Sequence, residues 1–177
     1  CVPLFIGIKR NIHVKLNIRK MEKQRWAIFD LDGTIANIDY RLRIASENGK
    51  LDYDKLHDPN LIETDKPIYE TMYLLDSLSK FNVGIFILTG RFANTKKATE
   101  KWLNSFNVSY DKLVMKGYKD IYFKSDHWKE NQMHKFMEKQ NIHVEQIILS
   151  VDDYCKNQTM FESWGIPCLD PNVLYTK

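Results

Sequence analysis

The chain is poor in cysteine, and what it has is scattered. Cys1, Cys155 and Cys168 form no CxxC pair, and the five histidines (His13, His57, His127, His134, His143) show no zinc-like spacing. This pattern argues against a structural zinc site and against a disulfide-stapled scaffold. No run of 18 apolar residues occurs, so no stretch is long and apolar enough to span a bilayer as a helix. Internal repeats and low-complexity tracts are also lacking. The expectation is an intracellular, cytoplasmic protein without a membrane partner. What remains is globular in character: 177 residues, 44% hydrophobic and 28% charged, enough for one domain with a real core.

Charge is unevenly spread. Residues 1–25 carry seven Lys/Arg and one acid, Glu22, out of chain totals of 26 and 23. Subtraction leaves 19 basic and 22 acidic groups on residues 26–177, so a basic leader precedes a mildly acidic body. A basic leader can touch nucleic acid through phosphates, although charge runs are more often solvated tails. Within it, Ile12, Val14, Leu16 and Ile18 alternate with polar residues, which suggests an extra edge strand. The chain starts at Cys1, with Met21 just before the first core strand, and the segment has no secretory-signal pattern. An extended start, an added strand and the end of an upstream domain all remain open.

From Trp26 the pattern alternates strand and helix. Apolar runs at Trp26–Phe29, Val83–Leu88, Leu113–Met115, Ile147–Val151 and Ile166–Leu169 lack alternation, as strands buried on both faces of a parallel sheet do. Helical spacing recurs between them. Pro67 fits a first helical position ahead of Ile68, Met72, Leu75 and Leu78. Ala98, Trp102 and Phe106 form a second stripe, Met133, Phe136 and Met137 a third, and Met160, Phe161 and Trp164 precede a stop at Gly165. These stripes read as core packing. The fold class expected is α/β, an open doubly wound, Rossmann-like parallel sheet with helices on both faces. Residues 36–66 break the rhythm: they are polar, with Asn48-Gly49 and Asp58-Pro59 as turn signals and a short helix expected at Arg41–Ser46. An insert there would overhang the first strand's end, so it is read as a small cap on a domain covering 26–177.

The polar residues fall where such sheets bind ligands. Asp30/Asp32, Thr89/Arg91 and Asp152/Asp153 all follow the C-terminal ends of expected strands. Asp30 and Asp32 are two apart, so in extended chain their side chains share one side. Two close carboxylates repel unless a cation lies between them or one keeps a proton. A division of labour follows: Asp30 ionised as nucleophile and metal ligand, Asp32 as general acid and base. Gly33 would let backbone N–H groups approach a phosphate, and Thr34 would close the turn. A fixed D-x-D-G-T arises by chance in roughly one such chain in a thousand. Asp152-Asp153 would complete an oxygen-rich site for Mg²⁺, though an isolated Asp-Asp is ordinarily a cap or turn. Thr89-Gly90-Arg91 supplies a hydroxyl, a flexible backbone and a guanidinium able to grip two phosphoryl oxygens. A lysine is also needed to balance charge, and spacing does not choose among Lys116, Lys124 and Lys129.

In these motifs the chain resembles the haloacid-dehalogenase superfamily of phosphatases. Phe29-Asp30-Leu31-Asp32-Gly33-Thr34, Thr89-Gly90-Arg91, a lysine and Asp152-Asp153 stand in that family's order. Across about residues 26–170 it is most similar to the phosphatase domain of the phage polynucleotide kinase-phosphatases. Arg41 falls where that group has a cap arginine facing the phosphate. Asp126-His127-Trp128-Lys129 is similar to the family's Asp-x-x-Lys and selects Lys129; the spacing from Asp152-Asp153 to Gly165-Ile166-Pro167-Cys168 also fits. The chain departs from the group at Tyr154, where Arg is usual, and at Ser125, where an acid is frequent. No G-x-x-x-x-G-K-[ST] loop occurs, so kinase activity is not carried over. The resemblance implies a two-step displacement through an aspartyl-phosphate on Asp30, with Asp32 protonating the leaving oxygen and then activating water. It implies Mg²⁺ held by Asp30, the Asp32 carbonyl and the Asp152/Asp153 pair. Thr89, Arg91, Lys129 and Arg41 would stabilise the equatorial oxygens.

The function expected is therefore a phosphomonoesterase acting on a nucleic-acid end or a nucleotide, a polynucleotide 3′-phosphate being the first candidate. A small-molecule phosphatase acting on nucleotides or sugar phosphates is the alternative. Two readings of another class are a phosphorylation switch and an inactive nucleic-acid-binding module. Against the switch, the candidate nucleophile stands in the first motif and Asp32 offers a built-in base. Against the inactive module stands the intact motif set.

Overall fold

The computed structural model describes residues 23–47 and 49–174. The alternating segment Ile12–Ile18, Asn48 of the expected turn and the rest of the leader through residue 22 lie outside the described residues. The elements run β1 (Trp26–Phe29), β2 (Ala36–Asn37), α1 (Asp39–Ala45), α2 (Tyr53–Leu56), α3 (Pro59–Ile62), β3 (Lys66–Pro67) and α4 (Tyr69–Lys80). They continue with β4 (Gly84–Phe92), α5 (Lys96–Ser105), β5 (Lys112–Lys116), α6 (Ser125–Gln140), β6 (Ile147–Val151), α7 (Cys155–Ser163) and β7 (Cys168–Leu169).

Five strands form one parallel sheet in the order β5-β4-β1-β6-β7. Strand order reverses at β1, as in doubly wound α/β folds, and ligands bind beyond the carboxyl ends of the strands at such a point. The two faces are sorted residue by residue, because successive side chains in a strand point to opposite sides. Ala27, Phe29, Ile85 and Ile87 pack with Leu75 of α4 and with Trp102 and Leu103 of α5. Trp26, Ile28, Phe86 and Leu88 pack on the other face with Trp128, Met133 and Phe136 of α6 and with Met160 and Phe161 of α7. Burying each large apolar side chain is worth about 1.5–3 kcal/mol, so these two layers hold the strand ends in fixed register. The expected α/β architecture is the one found.

Helix ends follow a rule of which the sequence pattern alone marks only the stop at Gly165. The chain leaves α4, α5 and α6 through left-handed asparagines at Asn82, Asn107 and Asn141, and leaves α7 through Gly165 at φ +72°. Asn and Gly tolerate this conformation, which lets the chain turn back toward the next strand. Two expectations need correction. Pro67 is not a first helical residue; it pairs with Ala36 in the two-stranded β2–β3 ribbon, and Ile68 donates its N–H to the Ile35 carbonyl at 2.8 Å before α4 begins. The strand expected to end at Leu88 runs on to Phe92, so Thr89-Gly90-Arg91 lies within β4 rather than after it.

Between β2 and β3 the chain folds α1, α2 and α3 as short pieces. Asp52 caps α2 by accepting from the Asp54 and Lys55 N–H groups. Asp58 caps α3 ahead of Pro59 in its first turn. The short helix expected at Arg41–Ser46 begins two residues earlier, at Asp39.

Candidate active site

Register alone brings the first and last acidic motifs together. Phe29 of β1 is paired with Val151 of β6, and the Asp30 N–H donates to the Val151 carbonyl at 2.9 Å. Asp30 and Asp152 therefore leave adjacent strands side by side. The turn after β1 then folds tightly: Ala36 N–H donates to the Leu31 carbonyl and Gly33 N–H to the Ala36 carbonyl, both at 2.8 Å. Gly33 sits at φ +78°, and a Cβ there would collide with the Asp153 carboxylate. Its missing side chain thus makes room for Asp153. Thr34 is fully buried with its hydroxyl unpartnered.

One carboxylate oxygen from each of Asp30, Asp152 and Asp153 lies within 4.8 Å of the others. Lys129, the fifth residue of α6, comes from the helix layer that packs on Trp26 and Ile28 and is 2% exposed. Its Nζ donates to Asp30 Oδ1 at 2.7 Å and to Asp152 Oδ2 at 2.6 Å. Asp152 is further held by the Tyr154 N–H at 3.0 Å, by Asn157 Nδ2 at 3.0 Å, and by Gln158 Nε2 on its carbonyl at 2.8 Å. Asp153 has no ion-pair partner among the described residues. Burial raises the Asp30 carboxyl well above its ordinary range; Lys129 opposes the shift, while the charges of Asp152 and Asp153 add to it. Desolvation, followed by the charge of Asp152, pushes Asp153 up to about 6. Three acids share one ammonium, a charge balance that a further cation would complete.

The Asp32 carboxylate belongs to a second cluster. It accepts from Arg91 Nε at 2.7 Å and from Arg41 Nη2 at 2.8 Å. Burial disfavours its charge, but the two guanidiniums, Arg91 first, outweigh this and hold its carboxyl below the usual value. Both arginines are fully buried and both also grip Asp65: Arg41 through Nε and Nη2 at 3.1 and 3.0 Å, Arg91 through Nη2 at 2.7 Å. Arg41 Nη1 donates to the Leu56 carbonyl at 2.6 Å, and Trp102 Nε1 to the Asp65 carbonyl at 2.8 Å. The insert and β4 are thus joined through one neutral set of two cations and two anions. Beside it, His57 stacks on Phe92 with centroids 3.9 Å apart, and burial lowers its pKa to about 4. Thr89 is buried with its hydroxyl accepting from the Arg91 N–H at 3.2 Å, and Gly90 is exposed with open space around it.

Asp30, Asp152, Asp153 and Lys129 thus form one group and Asp32, Arg41 and Arg91 a second, rather than all sharing one centre. Of the three lysines, Lys116 donates to the Phe123 carbonyl at 2.6 Å, Lys124 precedes α6 and is exposed, and only Lys129 reaches Asp30 among the described residues. Sequence reasoning missed Asp65, His57, Asn157 and Gln158. Asp65 and His57 sit in an insert without periodicity, so no spacing pointed to them. Asn157 and Gln158 lie in the first turn of the helix after Asp152-Asp153, a placement that a strand–Asp–helix reading could have caught.

A family model described as HAD superfamily, subfamily IIIB (acid phosphatase), matches residues 8–149. The chain belongs to that family. This HAD phosphatase also has the fold of solved structures at low identity. The Pnkp1/Rnl/Hen1 RNA repair complex contains a chain 20% identical to it, with a TM-score of 0.65 over 82% of this chain and 42% of that one. The HAD phosphatase thus spans well under half of that relative. A haloacid dehalogenase-like hydrolase from Streptococcus pneumoniae is 16% identical, with a TM-score of 0.62 over 83% of this chain and 84% of that one. A HAD family enzyme from Bacteroides thetaiotaomicron, in complex with magnesium and inorganic phosphate, is 13% identical, with a TM-score of 0.53 over 82% and 92%. No curated protein matches the sequence. Among the described residues of the HAD phosphatase, no helix is long and apolar enough to cross a membrane.

Proposed function

We propose that this phosphatase is a Mg²⁺-dependent phosphomonoesterase that works through an aspartyl-phosphate on Asp30, with a polynucleotide 3′-phosphate or a nucleotide as substrate. The observation carrying the reading is Asp30 held between Lys129 and two further acids, with Asp32 two residues on in the grip of two arginines. The donor set fits a hard cation: three carboxylates converge, Asp153 has no cationic partner among the described residues, and all the atoms are oxygens. Asp30, Asp152, Asp153 and the Asp32 carbonyl would hold the ion, which supplies charge neutralisation and orientation of the phosphoryl group. The structural relative in complex with magnesium and phosphate supports this choice.

In the first step an Asp30 oxygen bonds to phosphorus as the bond to the leaving oxygen breaks, and that oxygen takes a proton from Asp32. In the second, water bonds to phosphorus, gives its proton to Asp32, and the Asp30–phosphorus link breaks. Asp32 must therefore carry a proton at the outset, although Arg91 and Arg41 favour its anion. Substrate resolves the conflict. Phosphoryl oxygens compete with Asp32 for the same guanidiniums, and as the arginines turn to them, burial and the phosphate's negative charge push the Asp32 carboxyl above its ordinary value, so that it holds a proton. Lys129 and Thr89 add stabilisation where charge collects. The segment between β2 and β3 serves as the cap, with Arg41 its phosphate contact.

Beside Gly33 and Asp153 opens a cleft of about 740 Å³, with Asn37, Lys66 and Tyr69 among its walls. It is large enough for a nucleoside leaving group, and keeps free nucleotides as the alternative substrate. The free thiols of Cys155 and Cys168 suit a cytoplasmic setting. Phosphate release is the direct test: a 3′-phosphorylated oligonucleotide should be hydrolysed faster than mononucleotides or sugar phosphates, and a chelator should abolish turnover. Activity that persists after chelation and dialysis overturns the metal-dependent mechanism.

Metal binding should depend on pH with a definite sign. Asp153 is pushed up to about 6 and Asp30 is raised as well, so protons occupy the centre in acid and must leave when metal binds. Calorimetric titration with Mg²⁺ should show affinity falling as pH drops through about 6, with proton release on binding. Affinity that is flat across that range would place the ion elsewhere.

A further inference from the structure

The loop between β5 and α6 carries an aromatic display that folding does not explain. Tyr118, Tyr122 and Phe123 are 85%, 90% and 56% exposed within six residues. Large aromatic rings are normally kept from water, and an exposed cluster of them marks a contact surface. The backbone beneath is pinned. Asp120 N–H donates to the Gly117 carbonyl at 2.9 Å and Phe123 N–H to the Asp120 carbonyl at 3.0 Å. Trp128 Nε1 donates to Asp120 Oδ2 at 3.3 Å, while Lys116 holds the Phe123 carbonyl. The rings thus stand out from a fixed loop.

Both ends of the loop are tied to the candidate active site. Lys116, where β5 ends, is paired with Phe92, two residues beyond the exposed Gly90. At the other end Lys124 leads into α6, whose Lys129 reaches Asp30. Five residues of helix rise by about 7.5 Å, so the loop's end at Lys124 stands less than two helical turns from the residue that reaches Asp30. Charge points to the occupant. Lys116, Lys119 and Lys124 face one acid, Asp120, in this stretch, and Lys119 and Lys124 are exposed, on a body that is otherwise acidic.

We infer that residues 117–124 form a stacking platform for the unpaired bases of a single-stranded polynucleotide whose terminal phosphate lies at Asp30. Tyr118, Tyr122 and Phe123 offer ring faces to bases, and Lys119 and Lys124 contact the backbone phosphates. Interleaved aromatic and cationic side chains bind single strands with little sequence preference. The inference rests on the polynucleotide reading proposed above and specifies it: the bases upstream of the reacting nucleotide are held outside the catalytic centre.

The test compares the wild type with the triple variant Tyr118→Ala, Tyr122→Ala, Phe123→Ala. Three readouts are taken: hydrolysis of a single-stranded 3′-phosphorylated oligonucleotide, hydrolysis of p-nitrophenyl phosphate, and binding of the same strand ending in a 3′-hydroxyl. The variant should raise KM for the oligonucleotide by about tenfold or more, weaken binding of the 3′-hydroxyl strand to a similar degree, and leave p-nitrophenyl phosphate kinetics unchanged. Tyr118→Trp should retain wild-type binding. Unchanged oligonucleotide KM and binding overturn the platform while the phosphatase reading stands. So does an equal loss on both substrates, which marks the loop as structural. If the wild type binds the strand through these rings but hydrolyses no oligonucleotide end, the substrate reading falls and the platform stands.

Discussion

Asp30→Asn is expected to lose phosphatase turnover by about 10⁴–10⁶-fold, the scale seen when a nucleophile is removed. The amide is nearly isosteric with the acid but cannot attack phosphorus as an anion. The fold should survive. Asp30 is one of three acids around a single ammonium, and Lys129 keeps Asp152 as a partner at 2.6 Å when the Asp30 charge is gone. Removing one of three crowded negative charges relieves repulsion, so the metal-free variant should melt at or above the wild-type temperature. With Mg²⁺ present the order should reverse, because the variant has lost an anionic ligand. Phosphate release and thermal melting with and without the ion read both effects. A variant with full Mg²⁺-dependent activity would remove Asp30 from the role of nucleophile. A metal-free variant that melts far below wild type would mean that the Lys129–Asp30 contact matters more to the fold than the crowding does.

The parts of this protein legible in its sequence are those set by strand register. Mainly apolar runs without alternation at Trp26–Phe29 and Ile147–Val151 suit two-sided parallel strands, and once β1 and β6 are neighbours, Asp30 and Asp152 have to meet. The motif spacing carried the rest of the acidic centre, and the family resemblance selected Lys129 from three lysines that pattern alone did not separate. What stayed hidden depends on contacts across the chain. Asp65 precedes β3 in a polar stretch and is ordinary by pattern; its importance lies in facing Arg41 and Arg91, 24 and 26 residues away. Gly33 was expected to open a path for a phosphate, but its Cβ position is contested by Asp153, a neighbour 120 residues on. Pro67 shows the limit of local rules. A proline ahead of a helical stripe fits a first helical turn, yet pairing with Ala36 draws it into the ribbon and moves the helix start to Tyr69.

Lys129→Met should have the largest effect on stability. The side chains are similar in length, so packing in α6 beside Trp128 and Met133 is largely kept and the change is one of charge. Lys129 is 2% exposed and is the one cation that reaches Asp30 and Asp152 among the described residues. Removing one partner from a buried ion set costs about 3–5 kcal/mol, because the remaining charges stay desolvated and unpaired. For a chain of this size that is a fall of roughly 6–20 °C in melting temperature. The loss should be greatest without metal, and Mg²⁺ should restore part of it by taking over charge compensation. Turnover should remain about 10²–10³-fold down even at saturating Mg²⁺, since a positioned donor to the phosphoryl oxygens is gone. The double variant Asp30→Asn, Lys129→Met separates charge from shape. If crowded negative charge is the cause, deleting the second charge recovers stability, and the coupling between the two positions is large and favourable to the double variant. Should the double variant instead be less stable than either single one, the two residues contribute independent packing, and the electrostatic account of this centre fails.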